Sequence, residues 1–129
     1  MIKPYRVGFI GGSINSAVGR THKIAIELDG QFSLDAGCFS LEKVENEATA
    51  TAYQVNPSRV YSSHIELLES EIDNLDLIVI LTPTNLHKNH VIDALSYGYN
   101  VVCEKALSCN VKEAIEIKNI LKKKAGFLK

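Results

Sequence analysis

What the chain lacks narrows its function first. It carries no excess of charge: 14 Lys plus Arg stand against 15 Asp plus Glu, for a net charge of -1. Without a whole-molecule field to gather polyanions, neither nucleic acid nor an anionic membrane surface is expected as a partner. It has no long apolar run. The longest, Leu77 to Leu81, falls far short of the ~20 residues a membrane-spanning helix needs. The start, Lys3-Pro4-Tyr5-Arg6, leads into a short strand pattern rather than the apolar core of a secretory signal, so the cytoplasm is the expected location. Cysteine is scarce as well. Cys38, Cys103 and Cys109 make an odd number with no C-x-x-C spacing, which argues against a disulfide framework or a zinc site and for free thiols in a reducing compartment. No internal repeat or low-complexity tract appears.

What is present suits one compact domain: 129 residues, of which 46% are apolar and 22% charged. The hydrophobic period switches back and forth along the chain. Tyr5 to Ile10 reads as a buried strand stopped by Gly11-Gly12, and Val18, Ile24, Ala25 and Leu28 recur at helical spacing until Asp29-Gly30. Phe32 to Phe39 alternates as a second strand, and Val44 to Tyr53 reads as a helix ended by Asn56-Pro57. Val60-Tyr61 is expected as a very short strand. A helix to Glu71 follows it, with Ser63 and Glu66 in a capping-box pattern. Leu77 to Leu81 has the unbroken apolar character of a strand covered on both faces. The helix Asn85 to Tyr97 stops at Gly98, Asn100 to Cys103 is a further strand, and Val111 to Leu121 is the last helix, with Lys122-Lys123-Lys124 as its basic final turn. Strand and helix alternating in this way predict an α/β fold: a doubly wound parallel sheet in three layers, α/β/α.

The segment from Gly8 through Gly11, Gly12, Ser13, Ile14 and Asn15 to Gly19 lies between the first strand and the first helix. There, missing side chains let backbone amides approach a pyrophosphate, whose charge also suits a helix N-terminus. The G-x-G-x-x-G spacing is not met, since the loop is stretched before Gly19, and a strand-to-helix turn of another α/β protein is the alternative. No carboxylate stands directly at the end of the second strand. Ser40 with Lys43 suits a 2′-phosphate, Ser40 with Glu42 suits a free ribose, and Ser40 as a turn cap suits neither. NAD and NADP both remain open as cofactors.

Ligands of open α/β sheets bind outside the carboxyl ends of the strands. Two polar segments stand at such ends: Thr82-Pro83-Thr84-Asn85-Leu86-His87 and Glu104-Lys105. Asn85 suits either a ligand or the cap of its helix. His87 and His90 share a helix face but lack a third ligand nearby, which argues against a metal. Lys105, an amine beside Glu104 at the mouth of the sheet, suits holding a substrate hydroxyl or assisting its proton transfer.

Taken in order, Val7-Gly8-Phe9-Ile10-Gly11-Gly12 leading to Gly19-Arg20-Thr21-His22, then Thr82 to His87, then Cys103-Glu104-Lys105, resemble the Gfo/Idh/MocA oxidoreductases. The stretched loop with its Arg-Thr-His, and Leu34 to Ser40 after it, look most like the subgroup acting on sugars or sugar nucleotides. The resemblance implies a Rossmann domain over residues 1–129 that binds NAD or NADP. Gly11, Gly12, Ser13, Ile14, Asn15 and Gly19 would line the pyrophosphate, with Ser40 by the adenosine ribose. Thr82, Pro83 and Asn85 would flank the nicotinamide half, and His87 would border the cleft. Glu104 would meet the nicotinamide ribose or carboxamide, and Lys105 the substrate. Ala106 departs from the family, which has proline there.

In that family, hydride passes between nicotinamide and a carbon of a sugar or cyclitol, and a residue of a second, C-terminal domain handles the hydroxyl proton. No such domain is expected within these residues. The expectation is therefore a cofactor-binding domain with little turnover by itself, and with exposed faces that favour a homo-oligomer. The competing reading is a non-catalytic nucleotide-binding or redox-sensing module.

Overall fold

The computed structural model describes residues 3–123, so Lys124 of the expected basic turn lies outside the described residues. In order, the elements are β1 (Tyr5–Gly11), α1 (Gly19–Glu27), β2 (Phe32–Cys38), α2 (Lys43–Tyr53), a 3-10 turn (Pro57–Arg59), α3 (His64–Ser70), β3 (Leu77–Leu81), α4 (Thr84–Ser96), β4 (Val101–Cys103) and α5 (Val111–Lys123). The four strands form one sheet in the order β2-β1-β3-β4, and every pair is parallel. Val7 at its centre pairs with Leu34 on one side and Leu77 on the other.

Strand periodicity sends alternate residues to opposite faces, and each face has its own core. Ile10, Ala36, Cys38, Ile78 and Ile80 pack against Leu67 and Leu68 of α3, Val91, Ala94 and Leu95 of α4, and Ile117 of α5. Val7, Phe9, Leu34, Val79 and Leu81 pack on the opposite side with Ala50 and Tyr53 of α2, and Ile26 of α1 borders that cluster. This is the expected three-layer α/β/α arrangement. Because β1 leads to β2 on one side and has β3 on the other, a crevice opens between the carboxyl ends of β1 and β3.

Three local expectations need correction. Val60-Tyr61 does not form a strand; it makes one isolated bridge, Gly37 to Val60, and the Tyr61 amide donates to the Gly37 carbonyl at 2.9 Å. The Pro57–Arg59 turn ends immediately before it and the α3 cap, Ser63, follows after one residue, which leaves too few residues to pair. The capping box at α3 is split. Ser63 Oγ accepts from the Glu66 amide at 3.1 Å, but the Glu66 carboxylate accepts from Ser62 Oγ at 3.0 Å rather than closing the box. Asn85 is not a cap, because Pro83 occupies that position and α4 starts at Thr84.

Side chains replace the missing strand. The buried Asn46 side chain accepts from the amides of Phe39 at 2.8 Å and Ser40 at 3.3 Å, and donates to the Tyr61 carbonyl at 2.8 Å. Nearby, Glu71 is only 2% exposed and receives Arg59 Nη2 at 2.6 Å and the Tyr61 hydroxyl at 2.5 Å. Burial works to raise the Glu71 carboxyl, yet the hydrogen bonds from Arg59 and Tyr61 hold it below its ordinary range. In return, burial and Glu71 push the Tyr61 phenol up to about 12.

Asn46→Ala leaves two amides and a carbonyl without their partner in a buried place. It should therefore lower unfolding free energy by roughly 2–4 kcal/mol, read from the urea midpoint. A loss below about 0.5 kcal/mol would show that water replaces the amide and that Asn46 does not organise this edge.

Candidate dinucleotide site

The glycine loop is stretched in sequence but folded tightly in space. Gly11 and Gly12 have φ of 81° and 79°, in the left-handed region. At Gly19, the first residue of α1, a Cβ would overlap the Gly12 carbonyl oxygen and lie 2.6 Å from that of Ser13. Gly19 thus permits the close helix-to-strand approach that the third glycine of a dinucleotide loop provides, despite the longer spacing. The extra residues form their own small scaffold. Ser16 N–H donates to the Ser13 carbonyl at 3.0 Å, Gly19 N–H to Ser16 Oγ at 2.9 Å, Asn15 N–H to Ser13 Oγ at 3.3 Å, and Ile14 N–H to Thr49 Oγ1 at 3.1 Å. The Tyr53 hydroxyl pins the Gly12 carbonyl at 2.9 Å. Those four amides are committed internally; those of Ala17 and Val18, at the entry to α1, make no hydrogen bond among the described residues.

At the end of β2, Ser40 Oγ accepts from the Glu42 amide at 3.1 Å, so Ser40 does shape a turn. Lys43 lines a cavity of about 610 Å³ together with Ser40. It is highly exposed and lies 4.0 Å from Glu47 along α2. A carboxylate not singled out from the sequence, Glu45, also stands near this corner. Asn15 Nδ2 donates to Glu45 Oε1 at 2.6 Å, joining the glycine loop to the turn after β2. Hydrogen bonds from Ser40 and then Asn15 and Ser13 hold the Glu45 carboxyl below its ordinary range. Its only sequence signal is an acidic residue in the first turn of a helix, which is common for dipole reasons alone.

The ends of β3 and β4 are tied together by His87. This ring is buried, with Nδ1 2.5 Å from the Ala106 carbonyl oxygen and Nε2 2.6 Å from that of Thr82. Both ring nitrogens therefore face backbone, and the Lys105–Ala106 peptide they support is cis. His90 turns elsewhere: Nδ1 is 2.9 Å from Thr82 Oγ1, and its ring lies 4.4 Å from that of His64, whose Nε2 is 2.7 Å from Asp93 Oδ2. Pro83 and Asn85 are exposed at the start of α4, and Lys105 is exposed beyond β4. Glu104 is fixed by His22 of α1, Nε2 to Oε2 at 2.6 Å, a partner visible beforehand only as part of the Arg-Thr-His string. That hydrogen bond is the largest influence keeping the Glu104 carboxyl below its ordinary range.

Between these strand ends lies a cavity of about 240 Å³, lined by Gly11, Phe39, Ser40 and Leu41 on one side and by His64, Thr82, Leu86 and His90 on the other. It is mostly apolar, next to an amide-bearing loop and closed by hydroxyls and imidazoles, a lining that suits a flat heteroaromatic ring attached to phosphates. The model for the oxidoreductase family with an NAD-binding Rossmann fold, GFO_IDH_MocA, matches residues 5–128. The chain belongs to the Gfo/Idh/MocA family. Its relatives include the uncharacterized oxidoreductase YfiI of Bacillus subtilis, 31% identical over 130 residues that cover 98% of this chain and 33% of that protein. Among solved structures, an oxidoreductase from Pseudomonas syringae superposes with a TM-score of 0.91 at 29% identity, covering 98% of this chain and 35% of the other. An inositol dehydrogenase homolog from Azotobacter vinelandii complexed with NAD+ superposes at 0.89 with 28% identity, covering 99% and 34%; it has also been solved with NADH and myo-inositol. This Gfo/Idh/MocA chain thus spans about a third of the length of the curated relative it matches throughout.

Two outcomes follow from this geometry. Gly19→Ala forces Cβ into the Gly12 carbonyl and should cost at least about 2 kcal/mol, seen as a lower melting temperature; an unchanged melt would mean the loop opens freely. Burial first, and then the neighbouring His64, push the His90 imidazole down to about 4, so the fold holds it neutral while the unfolded chain protonates it near 6.5. The stability this contributes is present above pH 6.5 and is lost as pH falls toward 4, at most roughly 2–3 kcal/mol. Melting temperature should drop through that window in the wild type and much less in His90→Asn; parallel curves would remove His90 as the cause.

Proposed function

We propose that this chain is the cofactor half of an NAD- or NADP-dependent oxidoreductase acting on a hydroxyl-bearing carbon of a sugar or cyclitol. The observation that carries this reading is the meeting of Gly11, Ser40 and Thr82 around one cavity at the carboxyl ends of the sheet, with Glu104 tied to α1 through His22. Family membership and the inositol dehydrogenase homolog support it. The residues present fit a dinucleotide: the amides of Ala17 and Val18 make no hydrogen bond among the described residues, and the apolar cavity beside the loop suits an adenine.

When bound, the nicotinamide supplies a two-electron hydride acceptor or donor. The chain's own residues bind and orient. The amides of Ala17 and Val18, with the positive end of α1 behind them, meet the pyrophosphate. His87 holds the Thr82 and Ala106 carbonyls at fixed positions, so that the two strand-end turns keep their spacing. His22 holds the Glu104 carboxylate to α1. Lys105, exposed at the mouth, donates to the substrate hydroxyl oxygen and orients that hydroxyl. Because relatives are about three times longer, the further groups that bind the substrate are assigned to sequence outside this chain.

Calorimetric titration tests this reading directly. NADH or NADPH should bind saturably, and Lys105→Ala should leave that affinity within about twofold. The chain alone should reduce NAD+ or NADP+ with myo-inositol negligibly. No binding by a demonstrably folded chain would end the dinucleotide reading, and sustained formation of reduced nicotinamide would end the assignment of a cofactor half only.

A further inference from the structure

We propose that Glu45 makes this chain select the cofactor whose adenosine ribose is unphosphorylated, NAD over NADP. The inference rests on the dinucleotide reading above and adds to it which of the two cofactors is taken.

In an open α/β sheet the adenosine ribose lies past the carboxyl end of β2, beside the glycine loop. Here β2 ends at Cys38, and the first polar side chain beyond it is the Ser40 hydroxyl rather than an acid. The carboxylate comes instead from the first turn of α2. Asn15 of the glycine loop donates to Glu45 Oε1 at 2.6 Å, so this oxygen stands where the loop and the β2 turn meet, the two segments between which the ribose would sit. Ser40 Oγ already accepts from the Glu42 amide, which leaves its O–H free to donate to a neighbouring acceptor. Hydrogen bonds from Ser40, then Asn15 and Ser13, hold the Glu45 carboxyl below its ordinary range.

The remaining charges point the same way. Between Ser40 and Glu47 the chain carries three acids, Glu42, Glu45 and Glu47, against the single cation Lys43. That cation is 87% exposed in its side chain and lies 4.0 Å from Glu47, whose charge offsets it. A ribose diol offers two O–H donors to a fixed carboxylate, a favourable charge-assisted pairing. A 2′-phosphate offers no donor when ionised and brings a charge of about -1.5 to -2 against the same carboxylate. The distinction is one of repulsion as much as attraction, which is how specificity between near-identical ligands is commonly secured.

The test is parallel calorimetric titration of NADH and NADPH into the wild-type chain, Glu45→Gln and Glu69→Gln. Gln keeps an oxygen acceptor for Asn15 while removing the charge, and Glu69, exposed on α3, controls for loss of one negative charge elsewhere. The wild type and Glu69→Gln should bind NADH at least about tenfold more tightly than NADPH, and Glu45→Gln should narrow that ratio to within about threefold, chiefly by tighter NADPH binding. Equal affinities or an NADPH preference in the wild type overturns the proposal, and this comparison needs no variant to fold. An NADH preference that persists in a folded Glu45→Gln assigns the selectivity to other residues and overturns the role of Glu45. Binding of neither cofactor by the folded wild type removes the dinucleotide reading itself, a result distinct from the other two.

Discussion

The closest constraint in the molecule is the contact between the first residue of α1 and the loop that precedes it. Gly19 lies so near the Gly12 and Ser13 carbonyls that no side chain fits, and everything at the carboxyl edge of the sheet is arranged around that approach. It brings the start of α1 over the end of β1. It also forces the extra residues of the loop outward, where Ile14 meets Thr49 and Asn15 meets Glu45 on α2. A loop of irregular length therefore acquires a fixed shape from three short hydrogen-bonded spans and its ties to α2 rather than from a compact glycine pattern.

The other strand ends are fixed by side chains that reach across to backbone. Asn46 secures the turn after β2 and the segment that replaces a further strand, while His87 joins the turns after β3 and β4. Each is buried and each has its polar atoms engaged, as low-polarity surroundings require. Hydrophobic burial on the two faces of the sheet stabilises the layers, but it has no direction. The polar connectors set where the loops stand relative to one another, and that spacing is what a cofactor reads.

Charge at the site is distributed in pairs that cross between elements: Asn15 with Glu45, and His22 with Glu104. Each draws a carboxylate toward the glycine loop or its helix and holds it ionised. The histidine pair at the inner wall works in the opposite sense. His64 is bonded to Asp93, while burial keeps His90 neutral, so the apolar cavity gains polar edges.

The layer order, the parallel sheet and the position of the glycine loop were legible from the sequence because they depend on periodicity and on glycine's freedom, both local properties. The motif segments after β3 and β4 were legible for a related reason, since proline and polar residues punctuate an otherwise apolar run. The Val60-Tyr61 strand was misjudged because pairing depends on neighbours, and Asn46 and the Glu71 network satisfy that segment in place of a ladder. Asn85 looked like a cap because capping preference is statistical, and Pro83 took the position. Glu45, His22 and the His64–His90 pair were hidden because each acts on a partner far along the chain. Sequence by itself determined which stretches become strands, helices and turns, through hydrophobic period and backbone freedom. Only the tertiary structure decided which carboxylate meets the loop and which histidine is buried, because those depend on side-chain direction and distance once the layers have packed.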